Sequence, residues 1–213
     1  MSDQPSSEKD EALEAMKRSW ASDFHFFNNA GKDVRERWVV HEFLSRLSVT
    51  FGLDEIKSQE QSSKVDVQFR DARFQIKEIP DPGSRRSAEI KAIYHRVLAA
   101  KTIQDTIGTP FVYDVPPPVS GYELVRDKAK ELAEDPRYID AKASLDLLLY
   151  VTRTRATLVE QTEINLEELS KMGWRSVSCL MGHRALVLFG RVDAFMFLRH
   201  KDSWPTRPRG RES

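Results

Sequence analysis

The chain has 213 residues, enough for one domain with a sizeable core, and its 33 basic residues are balanced by 33 acidic ones. This zero net charge excludes a global positive field that would draw the protein to nucleic acid or to an anionic membrane, so a polyanionic partner must meet a local patch. With Cys179 as its single cysteine, the chain has no intramolecular disulfide and no multi-cysteine zinc site, which favours a reduced, intracellular setting.

The two ends of the chain are polar, and we expect both to be flexible. Residues 1–17 are rich in Ser, Glu and Asp and lack the apolar run of a secretory signal, while residues 201–213 carry two prolines and several arginines. The most apolar stretch, residues 185–198, is interrupted by charged residues and is shorter than the roughly 20 apolar residues of a membrane span. The sequence therefore predicts a cytoplasmic protein that is not membrane-bound, with one domain over residues 18–200, an insertion at about 104–144 and a flexible basic tail.

Hydrophobic periodicity predicts a helix, a β-hairpin and a second helix in the N-terminal half. Between residues 31 and 47 the apolar residues recur at spacings of three and four, the period of an amphipathic helix. Residues 64–69 and 73–79 alternate apolar and polar side chains, and the residues between them suit a short reversal. Helical spacing resumes over residues 87–101.

The C-terminal half follows a run of three prolines at residues 116–118. A charged helix is predicted over residues 121–133, and the run LDLLLYV at residues 145–151 is typical of a central strand covered on both faces. The apolar residues of the last block fit strands better than the helix that they also allow. The remaining predicted elements are one helix and two strands, at about residues 165–172, 175–181 and 184–189.

Three polar residues stand in the predicted hairpin among residues that otherwise suit a core. Strand alternation puts Asp66 on the face away from its apolar neighbours and puts Gln75 and Lys77 together on one face of the second strand. Antiparallel pairing can bring the carboxylate, the amide and the ammonium onto one surface. Carboxylate and amide oxygens are ligands that Mg²⁺ takes, and Lys77 can bind a phosphate or water beside them. The alternative is a solvated hairpin face on which Asp66 and Lys77 form a cross-strand ion pair.

The order of helix, strand with Asp, turn, strand with Gln-x-Lys, and helix resembles the active-site frame of the PD-(D/E)XK nuclease superfamily. The motif reads VD at residues 65–66, with valine before the aspartate, and QIK at residues 75–77. The resemblance covers about residues 31–103 and 145–151, and it implies that the first strand of the meander lies within residues 48–53. It implies an α/β fold with a restriction-endonuclease-like core (helix, three-stranded meander, helix, strand) and C-terminal additions. The chain is also similar to an uncharacterised bacterial family described only as candidate endonucleases.

The resemblance also implies a reaction and roles for the site residues. Asp66 and Gln75 would be ligands of Mg²⁺ or Mn²⁺, and Lys77 would orient or activate the attacking water. Glu42, on the first helix, would add a further carboxylate, its alternative being an exposed helix carboxylate near Arg46. The implied activity is metal-dependent hydrolysis of phosphodiester bonds in DNA or RNA, with DNA favoured and a homodimer as one form of assembly.

Gln75 leaves a second function open. Most members of the superfamily carry an acidic residue at this position, and a neutral amide binds a divalent cation less strongly than a carboxylate does. The alternative function is therefore a catalytically inactive nuclease-fold module that binds nucleic acid or a protein partner. A plain interaction protein, in which the three polar side chains diverge, is a third.

A local basic patch accompanies the motif. Residues 64–101 hold nine basic and five acidic residues, a net charge of +4 in a chain that is neutral overall. Arg85 and Arg86 lie in the loop after the hairpin. Lys91 and His95 lie on the second helix, and we expect all four side chains to contact nucleic-acid phosphates. A solvated helix face is an equally good interpretation for Lys91.

Overall fold

The protein is described here from a computed structural model. The residues that it describes are 4–28, 30–83, 86–108, 117–153, 158–159 and 164–199. The chain divides into two compact units. The first comprises residues 1–35 and 82–115, and the second comprises residues 36–81 and 116–213.

The described residues form a mixed α/β protein. The helices are α1 (Gln4–Phe27), α2 (Lys32–Arg46), α3 (Arg86–Ala99), α4 (Gly121–Glu134) and α5 (Leu166–Lys171). The strands are β1 (Ile56–Ser58), β2 (Val67–Phe69), β3 (Ala72–Ile79), β4 (Val119–Ser120), β5 (Asp146–Val151), β6 (Leu158–Val159), β7 (Ser176–Met181) and β8 (Arg184–Gly190). The short strands β4 and β6 pair in parallel as a separate two-stranded sheet.

The first unit is built on α1 and α3, which pack against each other. The rings of Phe24 and Tyr94 stack with their centroids 4.7 Å apart and their planes within 4°. Residues 4–17 lie in α1, where a flexible segment was expected. The physical reason is that Leu13, Met16, Trp20 and Phe24 recur at spacings of three and four and give the helix an apolar side, on which Leu13 is buried.

A six-stranded sheet, with the strand order β1-β2-β3-β5-β7-β8, forms the centre of the second unit. β1, β2 and β3 make an antiparallel meander, β5 runs parallel to β3, β7 runs parallel to β5, and β8 is antiparallel to β7. β5 confirms the predicted central strand, and β7 and β8 confirm the two strands predicted for the last block. The strand expected within residues 48–53 is displaced to β1, because residues 53–55 form a short helical turn in which the Glu55 carboxylate accepts the Gly52 N–H at 2.8 Å.

The sheet carries an apolar core on each face. On one face, α2 and the residues after β8 cover Phe74, Ile76 and Leu148. On the other face, α4, α5 and Trp174 cover Leu147. Strand β5 contributes side chains to both cores, which explains why its sequence is almost continuously apolar.

A two-residue turn joins β2 to β3. Arg70 adopts a φ of 52°, in the left-handed region that favours glycine. Its guanidinium donates to the Glu55 carboxylate at 2.6 Å and to the Thr50 carbonyl at 3.0 Å. The hydrogen bond from Arg70 holds the pKa of Glu55 below its usual value. These contacts hold the turn in the strained conformation and so help to fix the register of the hairpin.

Among the residues described, none of the helices combines the length and the apolar character needed to cross a membrane.

Candidate active site

Asp66, Gln75 and Lys77 lie on the same face of the β2–β3 hairpin. Val67 pairs with Phe74, so Asp66, the residue before β2, lies opposite Gln75 on β3. Lys77 is two residues further along β3 and therefore projects to the same side. Phe74 belongs to the core on the other face of the sheet. The structure thus brings the carboxylate, the amide and the ammonium onto one surface.

The Asp66 carboxylate is attached to β3. Its Oδ2 atom accepts the backbone N–H of Ile76 at 2.8 Å and a hydrogen bond from the side-chain amide of Gln75. The Asp66 backbone also extends the pairing beyond β2, because its N–H donates to the Phe74 carbonyl at 2.9 Å and its carbonyl accepts the Gln59 N–H at 3.0 Å. Asp66 is 8% exposed, and these hydrogen bonds hold its carboxylate in a defined position.

Gln75 is 1% exposed, and its two amide atoms differ in their hydrogen bonding. The nitrogen donates to Asp66, whereas Oε1 is buried and has no hydrogen-bond partner among the described residues. Leaving a buried acceptor unsatisfied costs about 1–3 kcal/mol. Binding of a cation or a hydrogen-bond donor to Gln75 Oε1 would therefore be favourable. A buried amide oxygen beside a carboxylate has the donor chemistry that Mg²⁺ takes.

These two side chains fit a divalent cation that keeps part of its water shell. Mg²⁺ is commonly held by one or two carboxylates together with waters and substrate phosphates. Within the described part of the chain, no group of three or more His, Cys, Asp and Glu side chains is suited to a metal. A cation at this position would therefore be held by Asp66, Gln75 and oxygens of solvent or substrate.

Lys77 is half-buried and faces an aromatic ring. Its Nζ atom lies 6.0 Å from the centroid of the Tyr138 ring. Tyr138 is 1% exposed, and its hydroxyl has no hydrogen-bond partner among the described residues. Sequence reasoning missed Tyr138, because it lies in the loop after α4, far along the chain from the motif and without a motif of its own.

Glu42 is not part of this group. α2 packs on the sheet face that carries Phe74, where the ring centroids of Phe43 and Phe74 are 6.0 Å apart. The Glu42 carboxylate accepts a 2.8 Å hydrogen bond from Arg46, one helical turn later. The sheet lies between α2 and the side chain of Asp66. Glu42 therefore has the geometry of a helix carboxylate paired with Arg46, which was the alternative interpretation of this residue.

The predicted phosphate contacts are described only in part. Lys91 and His95 are exposed on α3, four residues apart, and the His95 ring lies 5.5 Å from the ring of Tyr94. Arg85 lies outside the described residues, and Arg86 begins α3 with its backbone alone described. Contact of these four side chains with nucleic acid stays a prediction.

A second polar cluster, which sequence reasoning missed, lies where β5 and β7 begin. Asp146 is fully buried and accepts hydrogen bonds from the Arg73 N–H at 2.8 Å, the Ser176 hydroxyl at 2.8 Å and Arg175 Nε at 3.0 Å. Arg175 Nη2 also donates to Asp146 and, at 2.8 Å, to the Asp71 carbonyl. Burial by itself lowers the pKa of Arg175, but the hydrogen bonds with Asp146, together with the negative charges of Asp146, Asp193 and Asp71, outweigh it and raise that pKa. The signal in the sequence was the lone aspartate within LDLLLYV.

A groove of about 240 Å³ lies between α4 and α5, away from the hairpin. It is lined by lysines and glutamates, and Lys142 in its wall donates to the Ala133 carbonyl at 2.7 Å. Because its lining carries charges of both signs, the groove is not assigned to an anion.

The fold and the site define an α/β protein whose mixed sheet presents an acid, an amide and an ammonium on one surface. The chain belongs to the family described as "Putative endonuclease, protein of unknown function (DUF1780)", whose model matches residues 8–204. This match confirms the predicted similarity to a family that is described as endonucleases. It does not test membership of the PD-(D/E)XK superfamily, which stays a prediction.

Among solved structures, the chain is similar to a protein of unknown function from Pseudomonas aeruginosa strain PAO1 that is described as belonging to the monooxygenase superfamily. The two sequences are 24% identical, the match covers 88% of this chain and 89% of that chain, and the TM-score is 0.55. The similarity shows that the two proteins share a fold. No sequence among curated proteins matches the chain significantly.

Proposed function

We propose that the protein is a metal-dependent endonuclease that hydrolyses phosphodiester bonds in nucleic acid, with DNA as the favoured substrate. The observation that carries the proposal is the placement of Asp66, Gln75 and Lys77 on one face of the β2–β3 hairpin. The description of the family as endonucleases supports it. The order of α2, the antiparallel meander and the parallel strand β5 supports it further, because the resembled nuclease core has the same order.

Asp66 and Gln75 would hold Mg²⁺ or Mn²⁺, which when bound polarises the phosphate and lowers the pKa of a coordinated water. Asp66 supplies the negative charge, and its hydrogen bond from Ile76 N–H holds the carboxylate in place before any ligand arrives. Gln75 supplies a neutral oxygen. The protein ligands therefore carry a single negative charge, and we expect weak cation binding that strengthens when a substrate phosphate is present.

Lys77 acts on the substrate. Its ammonium lies on the same face of β3 as Gln75 and can donate three hydrogen bonds. In that position it stabilises the negative charge that develops on the phosphate and orients the attacking water. Arg85, Arg86, Lys91 and His95 are proposed to bind phosphates along the nucleic acid, and loss of each contact should reduce the salt dependence of binding by about one unit of slope.

A second candidate function is a nuclease-fold module that binds nucleic acid or a protein partner without cleaving it. The observation that favours it is the hydrogen bond from the Gln75 amide to Asp66 Oδ2, which engages a carboxylate oxygen that a cation would use. Calorimetric titration with Mn²⁺ distinguishes the two functions. Heat of binding that disappears in Asp66→Ala supports the enzyme, and a folded protein without heat of binding supports the module.

The test of the enzyme compares the wild type with Lys77→Ala on DNA and RNA substrates in Mg²⁺ or Mn²⁺. Loss of one preorganised charge-stabilising donor should lower the cleavage rate by about 10²- to 10³-fold. The matched control is Lys171→Ala, because Lys171 is an exposed lysine on α5 that pairs with Glu167. This control should cleave within about twofold of the wild type. Equal cleavage by the wild type and Lys77→Ala contradicts the catalytic role.

A further inference from the structure

Tyr138 presents a rigid aromatic surface to the ammonium of Lys77. The distance of 6.0 Å from Lys77 Nζ to the ring centroid is within the range at which a cation is attracted to the face of an aromatic ring. The ring is itself held in place, because it packs on Trp174 with centroids 5.7 Å apart. The Trp174 indole in turn donates to the Ala129 carbonyl of α4 at 3.0 Å. The Tyr138 ring is therefore held in a fixed position beside the flexible Lys77 side chain.

The hydroxyl of Tyr138 has no structural explanation in the part of the chain that is described. It is buried without a hydrogen-bond partner there, so phenylalanine would fill the same space without leaving a polar group unsatisfied. The buried Oε1 atom of Gln75, on the sheet face shared with Lys77, is in the same condition. A phenol and an ammonium can each donate to a phosphate oxygen, and an amide oxygen can accept from a water molecule.

We propose that Tyr138 is a functional residue of the site: its ring positions the Lys77 ammonium and its hydroxyl binds a phosphate oxygen of the substrate. This inference rests on the proposed phosphodiester hydrolysis and adds a residue that no motif predicts. The lysine side chain has four rotatable bonds, and ordering it costs conformational entropy. Because the Tyr138 ring already attracts the ammonium, the Lys77 side chain has fewer conformations to lose when substrate binds, and the entropy cost of binding is lower.

The role of the ring can be measured without cleavage. Reductive methylation with ¹³C-formaldehyde labels the lysines of the folded protein, and the signal of Lys77 is assigned by its absence in Lys77→Arg. We expect this signal to be shifted by the ring in the wild type and in Tyr138→Phe, and to move to the position of exposed lysines in Tyr138→Leu. An unchanged Lys77 signal in Tyr138→Leu overturns the positioning role.

The kinetic test separates the ring from the hydroxyl. Tyr138→Phe should raise KM about tenfold and leave kcat within about twofold, because it removes a hydrogen bond to substrate and keeps the ring. Tyr138→Leu should also lower kcat. In a Lys77→Ala background the kcat loss should disappear, because the ring acts through Lys77. Wild-type kcat and KM in both variants overturn the inference while the proposed function stands.

If the wild type does not cleave nucleic acid, the proposed function fails and the substrate role of the hydroxyl fails with it. The NMR measurement then still decides whether Tyr138 positions Lys77.

Tyr122→Phe is the matched control for a structural hydroxyl. Tyr122 is 3% exposed, and its hydroxyl accepts the Asn165 N–H at 3.0 Å. We expect the urea midpoint to fall in Tyr122→Phe and to stay unchanged or rise in Tyr138→Phe, whereas the Lys77 signal should be unaffected by Tyr122→Phe. A fall in Tyr138→Phe as large as that in Tyr122→Phe would mean that the hydroxyl is structural, and would overturn its role in binding.

Discussion

Two buried carboxylates in the same sheet have different surroundings. Asp146, at the start of β5, receives hydrogen bonds from a guanidinium, a hydroxyl and a backbone N–H, so both of its oxygens are satisfied by the protein. Asp66, before β2, is held by a backbone N–H and by Gln75, whose own amide oxygen has no partner among the described residues. Asp146 has the hydrogen bonding of a structural residue, and Asp66 lies in a group that can still take up a ligand.

The comparison teaches that burial alone does not identify a functional carboxylate. Asp146 is the more deeply buried of the two, and yet its contacts explain it completely. What distinguishes the Asp66 group is incomplete hydrogen bonding, at Gln75 beside Asp66 and at Tyr138 beside Lys77. Substitutions should therefore affect stability at the first cluster and ligand-dependent properties at the second.

Arg175→Met should have the largest effect on stability. It leaves the fully buried Asp146 without its opposite charge, and breaking a buried pair in this way typically costs about 3–5 kcal/mol. The double variant Asp146→Asn, Arg175→Met, which buries no charge at this point, should be less destabilised than the single one. Urea denaturation measures both. A loss below about 1 kcal/mol in Arg175→Met would mean that Asp146 is not a buried charge that depends on Arg175.

Gln75→Glu should convert the second cluster into one whose stability depends on divalent cations. The new carboxylate lies beside Asp66, and repulsion between the two like charges raises the pKa of one of them by about one to two units. This corresponds to a loss of about 1–3 kcal/mol in the free energy of unfolding at neutral pH. Added Mg²⁺ should restore this loss and raise the melting temperature more than it does in the wild type.

The matched control for that variant is Gln68→Glu. Gln68 is exposed on β2, pairs with Arg73, and points to the same side of the sheet. The stability of the Gln68→Glu protein should not respond to Mg²⁺. A Gln75→Glu protein that is equally insensitive to Mg²⁺ would contradict metal binding by this pair.

Cys179 extends the comparison to a buried group without an opposite charge. Burial raises the pKa of its thiol to about 12. An unfolded thiol has a pKa of about 8.5, so above that pH the unfolded chain releases a proton that the folded protein keeps. Stability is therefore fully present below about pH 8.5 and falls by about 1.4 kcal/mol per pH unit above it. Free energies of unfolding at pH 9 and 10 should show this slope for the wild type, and Cys179→Ala should lack it.

Glu42→Gln should have the smallest effect. The Glu42 carboxylate is paired with Arg46 on the helix that covers the opposite face of the sheet from Lys77. We expect cleavage within about twofold of the wild type and a stability change within about 0.5 kcal/mol, as is usual for an exposed helix pair. A loss of cleavage as large as that in Lys77→Ala would restore Glu42 to the site.

The elements and the strand phase of the hairpin could be predicted because they depend on local spacing. The alternation within residues 64–79 determines which side chains share a face, and the register of β2 and β3 follows from the turn between them. Local spacing contains no information on long-range partners. It could not reveal that Tyr138 lies beside Lys77 or that Arg175 pairs with Asp146, because these contacts depend on how α4 packs against the sheet and on how β7 pairs with β5.

The contact from Arg175 to the Asp71 carbonyl has a consequence for the motion of the hairpin. It fixes the closed end of β2 and β3 to β7, and the Arg73 N–H at this end is bound by the buried Asp146. At the other end, β3 stays paired with the parallel strand β5 as far as Ile79 and Val151, and Asp66, before β2, is hydrogen-bonded to β3. Amide hydrogens of β2 should therefore exchange with deuterium slowest beside the turn and faster towards Asp66. Such a gradient would let the start of β2 separate locally from β3 and admit a ligand while the remainder of the sheet stays folded.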